Sequence, residues 1–136
     1  MPDGARPRGR HRSAVVPRPD RVRTIQGTPF GWLAAQLHRG GWLRVLTPEA
    51  VAAYAFLCLA ADRNGVSYYR RDRISRELGL DDHDLHAVLA RLEELDLVAY
   101  RPFKAGAADG YRQVLSLPPG PPPSPLSLPE IGVIPE

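Results

Sequence analysis

The chain has 136 residues, with 18 Lys or Arg against 15 Asp or Glu and a formal charge of +3. That length allows one ordinary domain and excludes a large multidomain enzyme. The charge is unevenly distributed: residues 1–23 hold seven arginines against two aspartates, a net +5, while residues 24–136 hold eleven bases against thirteen acids, a net −2.

Residues 1–23 alternate Pro, Gly and Arg with few large apolar side chains, so they cannot offset their own ordering entropy. They read as a flexible basic arm running to about residue 27. Thr28-Pro29 then has the form of an N-cap and first helical position, and Phe30, Leu33, Ala34 and Leu37 recur at helical spacing until Gly40-Gly41. This predicts a short amphipathic helix. Thr47-Pro48-Glu49 repeats the start signal, with an acid at the positive dipole end, and predicts a longer helix to about Asp62. Its expected stripe is Val51, Tyr54, Ala55 and Cys58, with Phe56 and Leu59 widening the apolar surface.

Asn64-Gly65 marks a turn, and Val66-Ser67-Tyr68-Tyr69 has the β-branched and aromatic content of a short strand. Residues 70–78 carry Ile74 and Leu78 four apart and stop at Gly79. After Leu80, Asp81-Asp82-His83-Asp84 opens a further helix with the stripe Leu85, Val88, Leu89, Leu92 and Leu95. Residues 97–100 and 111–117 predict two strands around a small-residue loop at 104–110, a hairpin. The end, residues 118–136, has eight prolines in nineteen positions and predicts an extended tail without a core. The organisation expected is an arm over 1–27, a folded unit over 28–117 and a Pro-rich tail over 118–136.

The lone cysteine, Cys58, has no partner for an internal disulfide and lies among Phe56, Leu57 and Leu59, where a buried thiol in a reducing cytoplasm is expected. No apolar run approaches the roughly 18 residues of a membrane span, so no membrane partner is expected.

This order of elements resembles the winged helix-turn-helix family, an α+β, mainly α fold. Ile74-Ser75-Arg76-Glu77-Leu78-Gly79-Leu80 looks like the first helix and turn of the motif. The run from Val88 to Val98, Val-Leu-Ala-Arg-Leu-Glu-Glu-Leu-Asp-Leu-Val, looks like the recognition helix entering the first wing strand. With Leu46-Thr47-Pro48-Glu49-Ala50 ahead of it, the chain is similar to winged helices of primosomal and plasmid replication proteins and small mobile-element regulators. The resemblance implies double-stranded DNA as partner, with residues 81–91 in the major groove and residues 101–112 against the adjacent backbone or minor groove. The candidate contacts on the domain are then Arg70, Arg71 and Arg73, His83, His86 and Arg91, and Arg101, Lys104 and Arg112. One departure from the pattern is acidic: Asp81, Asp82 and Asp84 open the recognition helix, where they serve equally as caps.

In the arm, Pro7-Arg8-Gly9-Arg10-His11-Arg12 resembles an AT-hook, with His11 in place of the usual second proline. That implies Arg8, Arg10 and Arg12 as minor-groove or general polyanion contacts. His83, His86 and Asp82 have a spacing open to a metal but lack further ligands, and no glycine-rich phosphate loop, paired-Cys motif or nucleophile triad is present, so neither a cofactor nor an enzymatic activity is expected. Tyr68, Tyr69, Tyr100, Phe103 and Tyr111 are expected to close the core, with base stacking the lesser alternative. Trp32 and Trp42 are expected to cover the central helix, an exposed one marking a partner surface. The alternative to DNA binding is a protein-interaction adaptor. It would dock a partner or a second copy (a homodimer) through the acidic helix, the apolar edge near Phe30 and Trp42, or the Pro-rich tail.

Overall fold

The computed structural model describes residues 14–24, 26, 27 and 29–123. Along them the regular helices and strands run α1 (Gln36–Arg39), α2 (Pro48–Ala60), β1 (Val66–Ser67), α3 (Arg71–Leu78), α4 (Asp82–Glu94), β2 (Val98–Pro102) and β3 (Gly110–Val114), with 3-10 turns at Pro19–Arg21 and Trp42–Arg44. This is an α+β arrangement of four α-helices and one small antiparallel sheet among the described residues.

The helix starts and stops follow local chemistry. Thr47 Oγ1 accepts the Ala50 N–H at 3.1 Å, and Asp81 Oδ1 accepts the Asp84 N–H at 2.7 Å, so α2 and α4 each begin on a side-chain cap. Gly79 ends α3 at φ 70°, a left-handed conformation that costs other residues about 1–2 kcal/mol, and its N–H returns to Ser75 O at 2.8 Å. The tight turn that follows leads within four residues into α4, which packs against α3.

Other expectations are corrected. The helix predicted from Pro29 forms only over Gln36–Arg39. Residues 29–34 instead cross α2 as an irregular strap, and at Gly31 a Cβ would stand 2.8 Å from Leu59 Cα and 2.9 Å from Cys58 O. Backbone-to-backbone packing of that closeness overrides the helical spacing of Phe30, Leu33 and Leu37. The first strand is Val66–Ser67 alone, and the hairpin strands end at Pro102 and Val114. On α2 the buried face is Ala50, Ala53, Tyr54, Leu57 and Cys58; Leu59 is exposed and Val51 only half-buried. Every residue of α2 after Glu49 is apolar, so periodicity could not choose the inward face.

The sheet order is β1-β3-β2, all antiparallel, with Val66 opposite Gln113 on one side of β3 and Arg101 opposite Tyr111 on the other. The core lies between the sheet's inner face and α2, α3 and α4. Leu57, Ile74, Leu85, Leu92 and Leu97 are fully buried there, joined by Trp42 from the segment before α2. Leucines, Ile74, Val45 and Val98 close the core together with Trp42 and Tyr54. Tyr68, Tyr69, Phe103 and Tyr111 remain exposed, contrary to the expectation that they seal it.

Burial, and then the neighbouring Cys58 thiol, push the Tyr54 hydroxyl up to about 12. Phenol ionisation near pH 10 in the unfolded chain therefore precedes that in the folded one. The resulting stabilisation is complete below pH 10 and is lost as pH rises to 12. The denaturation midpoint is expected to fall across that window, at about 1.4 kcal/mol per pH unit, and to fall less in Tyr54→Phe.

Candidate nucleic-acid interface

The sequence-predicted cations divide into three environments. Arg8, Arg10 and Arg12 lie outside the described residues. Arg70, Arg71 and Arg73 gather at the first turn of α3, where the loop between β2 and β3 meets them. Asp109 in that loop accepts the Arg71 backbone N–H on Oδ1 at 2.9 Å, and its other oxygen lies 3.9 Å from Arg70 Nε. Arg70, the N-cap residue, offers no side-chain cap of its own. The hairpin loop therefore caps α3 from across the fold, over 38 residues of sequence.

The Arg71 guanidinium reaches toward α4. Its Nη1 is 3.0 Å from His86 Nδ1 and its Nε is 3.7 Å from Asp82 Oδ1. A guanidinium only donates, so in this contact the His86 Nδ1 is the acceptor. Arg73 pairs with Glu77 at 3.0 Å and lies 5.3 Å from the Tyr69 ring centroid, while Arg91 pairs with Glu94 at 3.2 Å. The remaining contacts, Arg70 to Asp72 and Arg76 to Asp72, are 3.9–4.0 Å long and solvent-exposed, worth about 0–1 kcal/mol each. They can exchange a carboxylate for a phosphate at little cost.

Arg101 and Lys104 are exposed on β2 and its turn and have no ion-pair partner among the described residues. Arg112, by contrast, is a core group. It is 5% exposed, lies 4.7 Å from the Tyr100 ring centroid, and its Nε and Nη1 have no acceptor among the described residues. Burial lowers its pKa from the ordinary arginine value, against the opposing pull of Tyr100, Glu93 and Asp109. The pattern that would have found it is the alternation of β3, in which Gly110 and Arg112 are buried while Tyr111 and Gln113 are exposed. A buried cation short of acceptors costs stability, so Arg112→Met is expected to raise the thermal midpoint, by about 1 kcal/mol in stability. A fall in the melting curve would show that the guanidinium is engaged.

On α4, Asp82, His83, Asp84, His86 and Glu94 are exposed, giving the helix an acidic outer face. Among the described residues no three His, Cys, Asp or Glu side chains cluster as a metal would require. Cys58 is buried, which raises its pKa, against the lowering effect of a Tyr54 hydrogen bond.

Two further surfaces lie where the sequence placed an apolar edge and the strand aromatics. Phe30, Trp32 (75% exposed), Leu33 and Leu59 form an apolar patch where the strap crosses α2, beside a groove of about 460 Å³ reaching Tyr54 and Val114. Trp42, expected at this edge, is in the core. On the opposite side of the sheet from the core, Tyr68, Tyr111 and Phe103 form an exposed aromatic row. No helix among the described residues is long and apolar enough to cross a membrane. No protein-family model matches the chain, and neither a curated protein nor a solved structure matches it.

Proposed function

We propose that the chain is a non-enzymatic, cytoplasmic DNA-binding protein of the winged-helix kind, with a regulatory or replication-accessory role of the type found on mobile elements. The observation that carries this reading is the joint between hairpin and helix. Three helices with a tight α3–α4 turn are followed by a β-hairpin whose loop caps α3 and brings Asp109 to Arg70 and Arg71, and the hairpin itself carries the exposed Arg101 and Lys104. The arm of residues 1–23 adds sequence-independent affinity through its net +5 charge.

The acidic outer face of α4 argues that the domain approaches the duplex through the wing and the start of α3, with α4 held at an angle that keeps Asp82 and Asp84 away from phosphates. Titrating a DNA duplex at several salt concentrations tests this. Each lost phosphate contact lowers the slope of log K against log salt by about 0.9, so the Arg70, Arg73, Arg101 and Lys104 to Ala quadruple variant is expected to lose about three and a half units. An unchanged slope would remove the domain from the interface.

A second reading, contact with a protein partner or a second copy of the chain, is favoured by the Phe30, Trp32, Leu33 and Leu59 patch. Under it, sedimentation shows concentration-dependent association that Trp32→Ser abolishes. A monomer at every concentration, with no partner retained, would exclude it.

A further inference from the structure

The outer face of the sheet bears rings that the fold does not need. Tyr68 is 67%, Tyr111 46% and Phe103 42% exposed, whereas the core opposite is closed by fully buried side chains such as Leu57, Ile74, Leu92 and Leu97. The three rings are neighbours: Tyr111 lies 6.4 Å from Tyr68 and 5.0 Å from Phe103, centroid to centroid. Strand alternation sets this up. With Ser67 opposite Arg112 and both turned inward, Tyr68 and Tyr111 are turned out, and Arg101, opposite Tyr111, shares their face. Tyr69 differs, since its ring packs edge-on against Phe56 at 5.3 Å.

Charge selects the occupant. Ala99, Arg101, Tyr111 and Gln113 are the exposed residues of the hairpin strands on this face, Lys104 lies just beyond β2, and none is a carboxylate. Asp109, the acid of the hairpin loop, has both oxygens turned to Arg70 and Arg71. Flat apolar rings flanked by cations match unpaired nucleobases on a phosphodiester chain, the combination that binds single strands without reading sequence. A paired duplex keeps its base faces stacked inside and cannot use the rings. We infer that the outer sheet face, with Tyr68, Tyr111 and Phe103 as stacking surfaces and Arg101 and Lys104 as phosphate contacts, binds single-stranded nucleic acid. This goes beyond the duplex reading and uses a different property of the domain, since ring stacking makes no demand on Arg70 or Arg73.

The experiment uses the full chain and two fluorescein-labelled probes of equal charge, a twelve-nucleotide oligothymidylate and the same phosphodiester with abasic sites. The arm binds both alike, so only stacking separates them. Wild type is expected to hold the thymidylate at least about fivefold more tightly, the lower bound for one base on one ring. Tyr111→Leu, which keeps apolar cover but loses the flat ring, is expected to cut that ratio severalfold, the Tyr68→Leu, Tyr111→Leu double variant to bring it near one, and Tyr111→Phe to preserve it. Duplex affinity is expected to be unchanged in the Leu variants, whose melting curves report that they are folded. Equal binding of the two probes by wild type, or a ratio that survives the double variant, overturns the inference. So does binding of a peptide of residues 118–136 to these rings in place of the oligonucleotide, which would make the face a proline-rich docking surface.

Discussion

Removing residues 1–23 is expected to flatten the salt dependence of duplex binding by about five units in the slope of log K against log salt. The segment holds seven arginines, of which Arg18 is committed to Asp20 through two hydrogen bonds of 3.0 and 2.7 Å, leaving six for phosphate. At about 0.9 per phosphate neutralised, six contacts give the stated loss. Between about 50 and 200 mM salt, a slope difference of five corresponds to roughly a thousandfold in affinity, so the full chain and the truncated chain should converge as salt rises. The remaining residues carry a net −2 and supply no comparable long-range attraction. A loss below about two units would mean that the arm is not bound along the backbone. The same truncation leaves the discrimination between stacked and abasic single strands intact, because no ring of the outer sheet face lies within it.

The second large effect concerns stability. Leu57→Ala is expected to destabilise the fold by about 3 kcal/mol, the middle of the range for deleting a buried leucine side chain. Leu57 is 1% exposed and sits on the face of α2 that packs against α4 and β3. For a folded unit of this size each kcal/mol moves the thermal midpoint by about 4–8 °C, so a drop of at least 12 °C should appear in a circular dichroism melt. Leu59→Ala, two residues on, is expected to change stability by no more than about 0.5 kcal/mol, because its side chain already faces solvent. Equal effects at the two positions would refute the orientation of α2.

That pair of positions also shows which parts of the structure were legible in the sequence. Signals that act over a few residues were readable: the Thr47 and Asp81 caps, the glycine stop at 79, and the leucine stripe of α4, which is buried at Leu85, Leu89, Leu92 and Leu95. Rotation of α2 was not readable, since an all-apolar helix has no polar side to mark solvent. Nor was the strap, whose shape depends on Gly31 meeting the backbone of Leu59 rather than on its neighbours in sequence. Within the candidate interface, composition put Arg112 among the surface cations, and only the two-residue period of β3 reveals that it points inward. The same alternation turns Tyr111 outward. A reader counting aromatic residues assigns them to the core, because composition alone says nothing of which side of a sheet they occupy.

The bond from the Arg71 amide to Asp109 makes one peptide group a reporter for an element far away in sequence. An amide in the first turn of a helix ordinarily exchanges its hydrogen with solvent freely, for it has no carbonyl behind it. At Arg71 exchange must await the withdrawal of a carboxylate carried on the hairpin loop. Its rate therefore measures how often the loop lifts from α3, on the timescale of local opening rather than of global unfolding. If the loop closes over a bound strand, this single amide slows while those at the far end of α3 do not.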